Sequence, residues 1–189
     1  MPERKYAVAC ALVFLLEISC VVASSSEDKC IDYYQTGDNF DLNELEGSRF
    51  VVYFWPPNQR QRSNCEVITF KKLSRQDVET AYSDCKKLDV SNQTVVQASY
   101  VNNAGKSMTH LYYGDVEVKR QYRTCERISK YIFKRVSDNY VMGINCSAGG
   151  RGLLLSKTLP SASEVQSVAD QIEIMSGREG SPDCKLSRR

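Results

Sequence analysis

The chain is poor in the residues that carry most enzyme chemistry. It has one histidine in 189 residues. There is no Gly-x-Ser-x-Gly nucleophile motif, no glycine-rich phosphate loop and no pair of residues at metal-ligand spacing. Catalysis, a bound metal and a cofactor are therefore not expected. Lys and Arg number 25 against 23 Asp and Glu, a formal net charge of +2. That lacks the broad basic excess of a nucleic-acid binder, so no nucleic-acid partner is expected. Internal repeats and long low-complexity segments are missing too. Beyond Val22 no apolar run is long enough to cross a bilayer.

What is present begins with Arg4 and Lys5, then an apolar run from Tyr6 to Val22 that ends in Val21-Val22-Ala23. A basic start, an apolar middle and a small residue at the end make a secretory signal, although Glu17 interrupts the run. Cleavage is expected after Ala23. Residues 1–23 are then a signal peptide, and 24–189 form a single secreted, extracellular domain. Cys10 and Cys20 leave with the signal. Cys30, Cys65, Cys85, Cys125, Cys146 and Cys184 remain, an even number that argues for three disulfides in a secreted chain. No two of them are closer than 20 residues, which is too wide for a zinc site. The sequence alone leaves their pairing open.

The chain is dominated by short β-rich runs. Phe40 to Gly47 reads as a turn or short 3₁₀ segment leading into a strand, Arg49 to Trp55, which Pro56-Pro57 ends. Further strands are read at Cys65 to Leu73, Asp77 to Leu88, Gln93 to Val101 and Ile128 to Val136. Lys106 to Tyr113 and Val116 to Tyr122 flank Gly114-Asp115 and form one long bent strand or a hairpin. A hairpin follows, Asn139 to Cys146 and Gly152 to Thr158, turning at Gly149-Gly150. Then comes the one strong helical pattern. Ser161-x-x-Glu164 has the form of a capping box. Val165, Val168, Ala169, Ile172 and Met175 recur at helical spacing, and Gly177 ends the run, so a helix is expected over about 161–175. The tail, 178–189, is polar, and only Cys184 would tether it.

About eight strands and one late helix predict an all-β fold, an eight-stranded antiparallel up-and-down barrel with the helix packed outside. Closure removes exposed sheet edges and leaves an interior with room for one small ligand. The basic run Lys119, Arg120, Arg123, Arg127, Lys130, Lys134, Arg135 alternates with apolar residues and reads as a solvated strand face. His110 lies on a strand and reads as a surface or half-buried residue. Asn92-Gln93-Thr94 is a glycosylation sequon in a loop. Asn145-Cys146-Ser147 is a second, at a strand end, expected to stay bare.

Asp38-Asn39-Phe40-Asp41 with Gly47, then Asn139-Tyr140-Val141-Met142-Gly143-x-x-Cys146, then Leu154-Leu155-Ser156-Lys157-Thr158 before a helix resemble, in that order, the conserved segments of the lipocalins. Within that family the chain resembles the arthropod bilin-binding and apolipoprotein D-like group as an outlying member. The resemblance implies the bonds Cys30–Cys146 and Cys65–Cys184. It leaves Cys85 to Cys125, outside the usual pattern, as a staple expected near the cavity mouth. A long closed loop of this kind stabilises by roughly 4–5 kcal/mol in the chain-entropy model. The family's Gly-x-Trp is replaced by Gly47-Ser48-Arg49, and its last-strand arginine by Lys157. Two cations would then meet at the barrel floor and repel unless one faces solvent, and Phe50 is the candidate for the missing ring.

The resemblance also points Val51, Tyr53 and Trp55 into the barrel, with Tyr100, Tyr131 and Phe133 as partners around a ligand. A one-residue register error would reverse each assignment. The expected partner is a small hydrophobic molecule of the lipid, retinoid or tetrapyrrole class. The alternative is a secreted protein-interaction lipocalin whose loops block a protease or capture an amine.

Overall fold

A computed structural model describes residues 39–187, except 60, 84, 86, 87, 89 and 126. The expected signal peptide and Cys30 lie outside the described residues.

A 3₁₀ turn at Leu42–Leu45 is closed by the Asp41 side chain, which accepts from the Asn43 amide, and it leads into strand β1 (Gly47–Trp55). There follow β2 (Val67–Lys72), helix α1 (Arg75–Ala81), β3 (Val95–Val101), β4 (Ser107–Tyr113), β5 (Val118–Thr124), β6 (Arg127–Arg135), β7 (Tyr140–Asn145), β8 (Arg151–Ser156), helix α2 (Ala162–Asp170) and a two-residue strand β9 (Ser181–Pro182). Each of β2 to β7 pairs antiparallel with the next. β1 pairs with both β8 and β2, so the eight strands close on themselves. The hairpin alternative holds at Gly114-Asp115: β4 and β5 pair with Tyr113 opposite Arg120.

One departure from the expected element order leaves the strand count unchanged. Asp77 to Leu88, expected as a strand, contributes instead to α1 and the loop after it. The count stays at eight because 106–122 supplies two strands. The reason is a cap. The Ser74 side chain accepts from the Asp77 amide, and the Asp77 carboxylate accepts from the Ser74 amide, so two helix-end donors are satisfied reciprocally. The described residues between β2 and β3 fold over the outside of the sheet. There Val78, Tyr82 and Leu88 pack with Val95, Leu111, Tyr113 and Tyr122.

Helix α2 is shorter than expected, and a 3₁₀ turn, Glu173–Met175, follows it. Ser161 caps it by accepting from the Glu164 amide at 3.2 Å. Glu164 does not complete the box. Its carboxylate accepts the Tyr140 hydroxyl at 2.7 Å instead, tying helix to barrel. Val165, Ala169, Ile172 and Met175 pack on an outer apolar layer that includes Val52, Tyr53, Trp55, Met142 and Ile144.

That layer holds two residues expected inside. The β1–β8 register shifts between Val51 and Tyr53, so Val52 is an extra residue in the strand. Before the bulge Arg49 and Val51 face inward; after it Phe54 packs against the inner core, while Tyr53 and Trp55 turn outward beneath α2. Strict alternation fails there for that reason.

The tail is held by far more than one cysteine. β9 pairs with Tyr53 and Phe54, on the edge of β1 that β2 has left. The Asp183 amide donates to Val52 O at 3.0 Å, and the Arg62 amide donates to Asp183 O at 2.9 Å. Gly180 passes so close to the outer aromatic pair that a Cβ there would sit 2.4 Å from Tyr53 Cε1 and 2.7 Å from Trp55 Nε1. Gly180→Ala should therefore cost about 1–3 kcal/mol through overpacking, read as a lower urea midpoint. An unchanged midpoint would mean that the tail does not ride on these rings.

Candidate functional site

The barrel interior is filled at one end and hollow at the other. Near the β1 amino end, Phe40 and the 3₁₀ turn close the floor. Above them the Tyr112 ring stands edge-on to Tyr131 and Phe133, with centroids 5.2 and 5.1 Å away, and Phe40 contacts Phe133 at 5.8 Å. These rings occupy the volume that a deep pocket would use. Toward the other end, at the loops β1–β2, β3–β4 and β7–β8, lies a hollow of about 560 Å³. Its wall includes Phe54, Ile68, Tyr100, His110, Tyr112, Gln121, Arg123, Tyr131 and Leu153.

A polar chain runs down that wall. Arg123 Nε donates to Gln121 Oε1 at 3.1 Å, and Gln121 Nε2 donates to the Tyr112 hydroxyl at 2.5 Å. The same Nε2 lies 3.4 Å from His110 Nδ1. Burial raises the hydroxyl pKa of Tyr112 and Tyr131 above the ordinary tyrosine value, so both keep their protons. His110 is the largest surprise. It is only 5% exposed and faces the hollow, its ring edge-on to Tyr100 at 5.5 Å. Burial first, and Arg123 second, push its pKa down to about 4. The ring is neutral at physiological pH.

That shift sets a pH dependence. An unfolded histidine takes a proton near pH 6.5. The folded one refuses it until about 4, so stability is lost as pH falls between those values. After allowance for solvent at the open mouth, the loss at pH 4.5 is on the order of 2 kcal/mol. Urea unfolding of the wild type and His110→Gln at pH 7 and 4.5 checks it. The variant should show a shallower acid limb, and parallel limbs would remove the account.

Of the residues expected to line a ligand, Tyr100 and Tyr131 border the hollow, Val51 and Phe133 belong to the packed inner core, and Tyr53 and Trp55 lie outside the barrel. The basic run is not a uniformly solvated face. Lys119 is 2% exposed and donates to Asn39 Oδ1 at 3.0 Å, and Arg123 borders the hollow. Sequence reading missed Arg62, Glu66, Gln121, Asn145 and Arg151, which all border it too. Gln121 shares alternation parity on β5 with the buried Lys119, a link that only the closed sheet makes readable.

At the floor the two cations do not clash. Lys157 is exposed, and Arg49 is 2% exposed. The Arg49 guanidinium donates to the main-chain oxygens of Leu45, at 3.4 Å, and Glu44. Desolvation lowers its pKa from the usual arginine value, against the raising effect of Glu44. Phe50 does not replace the missing ring, since it packs on the outer layer.

Cys65–Cys184 and Cys85–Cys125 are both formed. Cys146 is also disulfide-bonded, and its expected partner Cys30 lies outside the described residues. Neither Cys85 nor Cys125 borders the inner hollow, and Cys85 lines a hollow outside the barrel. Their bond pins the outer segment after α1 to the end of β5. Asn92 is exposed at φ +64°, in a turn, whereas Asn145 is buried and its side chain accepts from the Ala148 amide at 3.1 Å. Another hollow, about 590 Å³, lies outside the barrel between α1 and the edge of β3. Residues of the outer segment itself line it, among them Leu73, Val78, Tyr82 and Leu88, with Val95 of β3.

Among the described residues no group of three His, Cys, Asp or Glu could hold a metal, and no helix is long and apolar enough to cross a membrane. No family model matches the chain, and no curated protein does. Among solved structures the chain is similar to lobster apocrustacyanin A1. The identity is 10%, the TM-score 0.44, and 87% of this chain and 89% of that one are covered.

Proposed function

We propose that the protein is a secreted carrier that holds a small molecule in the open half of a lipocalin-like barrel and carries out no catalysis. The observation that supports this most directly is the hollow of about 560 Å³ above a closed aromatic floor. The apolar part of its wall, which includes Phe54, Ile68 and Leu153, would reward a guest by about 25 cal/mol for each Å² removed from water. The three bonded cysteine sites and the amino-terminal signal pattern support an extracellular setting, and Asn92 is the residue on which a glycan would sit.

Native mass spectrometry of protein from its own source tests the reading. A retained small molecule supports it. Titration with fatty acid, retinoid and tetrapyrrole probes is the companion measurement, read from the probe. Trp55 lies outside the barrel and would not touch a guest. No retained molecule together with no micromolar binding would reject the carrier reading. The aromatic packing that shortens the cavity favours one competitor, in which the loops meet a protein partner such as a protease. Capture of a defined protease by the empty protein would support that alternative.

A further inference from the structure

We infer that the guest is an organic anion, its acidic head held at the cavity rim by Arg123 and Arg151 and its less polar body lying on Tyr100, Tyr112 and Leu153. This deepens the carrier reading and rests on it.

The argument is a charge census of the cavity. Three arginines border it, Arg62, Arg123 and Arg151, against one carboxylate, Glu66. Arg62 is already engaged, 2.8 Å from Glu66 and 3.4 Å from the buried Asp183. Arg123 and Arg151 come from different strands, β5 and β8, and neither makes an ion pair among the described residues. Arg123 spends one donor on Gln121, and a guanidinium has five. Both arginines are solvent-exposed and both border the hollow, which places them at its mouth.

Deeper in, the polar groups are uncharged: a neutral imidazole, an amide and two phenols. Charge is therefore confined to the rim, with neutral and aromatic surface below. A ligand of matching pattern has one anionic end and one aromatic or aliphatic body. A carboxylate or sulfonate head suits guanidiniums at the rim, which give short charge-assisted hydrogen bonds. An amine does not fit. The cavity's one carboxylate is taken by Arg62, and an incoming cation would face two more arginines.

Calorimetric titration of the full secreted chain with two matched sets tests this. One set is decanoate, decanol and decylamine; the other is indole-3-propionate, tryptophol and tryptamine. In at least one set the acid should bind tightest, by about tenfold over the alcohol, and the amine weakest. The gap should narrow in high salt. Arg123→Gln/Arg151→Gln should erase the ranking while circular dichroism and melting show an intact barrel. Equal affinity across the three heads, or a preference for the amine, overturns the inference and leaves the carrier reading standing. A ranking that survives in the double variant also overturns it. No binding by any of the six compounds overturns the inference, and the carrier reading is then decided by the retained-molecule and probe measurements above.

Discussion

Cys65→Ala/Cys184→Ala should lose about 5 kcal/mol of stability, more than Cys85→Ala/Cys125→Ala, which should lose about 4. The difference follows from loop length. The first bond joins residues 119 apart and the second joins residues 40 apart. In the chain-entropy model the longer loop removes more freedom from the unfolded ensemble. Packing acts in the same direction. Cys184 is fully buried, beside Asp183, where the tail fills the gap between β1 and the β1–β2 loop. Cys125 is exposed. Urea unfolding without reductant gives the midpoints, and hydrogen exchange locates the damage. The amides of Arg62, Asp183 and Lys185, which lace the tail to the loop and to β1, should lose protection in the first variant and keep it in the second. A larger loss in Cys85→Ala/Cys125→Ala would contradict this ranking.

The second large effect is expected at the barrel floor. Arg49→Ala should cost about 4 kcal/mol, combining a large void with two main-chain oxygens that lose their donor. Arg49→Met should cost no more than about 1–2 kcal/mol. It keeps most of the volume and removes a cation that is costly to bury, at the expense of the same two bonds. The contrast separates packing from hydrogen bonding. Desolvation already lowers the Arg49 pKa, and Nη1 has no hydrogen-bond partner, so the charge itself is not a stabilising asset. If Met is as harmful as Ala, the two carbonyl bonds outweigh the filled volume. Denaturant midpoints at neutral pH decide it.

The barrel was legible because its strands are short, bounded by turn residues and followed by one capped, periodic helix. The hairpin of Tyr140–Asn145 and Arg151–Ser156 was the clearest case. Helix α1 was not legible as read, because Val78, Tyr82 and Leu88 fit a strand as readily as a helix. The deciding signal was Ser74-x-x-Asp77, a capping box with aspartate in the glutamate position. The site was half legible. Alternation placed Tyr100, Tyr131 and Phe133 inside but misplaced Tyr53 and Trp55, because one extra residue, Val52, inverts everything after it. No pattern in the β1 sequence announces that bulge. It exists because β1 changes partners, from β2 to β9, at that point. His110 and Lys119 were misread for a different reason. A polar residue on a strand is exposed by default, and only the closed sheet shows which polar residues the interior has taken in.

The exchange of partners along β1 has a consequence for biosynthesis. Its first half meets β2 soon after both emerge from the ribosome, while its second half stays open on one edge until residues 181–187 arrive. An exposed edge of that kind recruits other chains. Nascent protein therefore passes through a window, nearly as long as its own translation, in which this edge at Tyr53 and Phe54 waits for its last partner. A chain cut shortly before Ser181 should clump more readily than the full-length one.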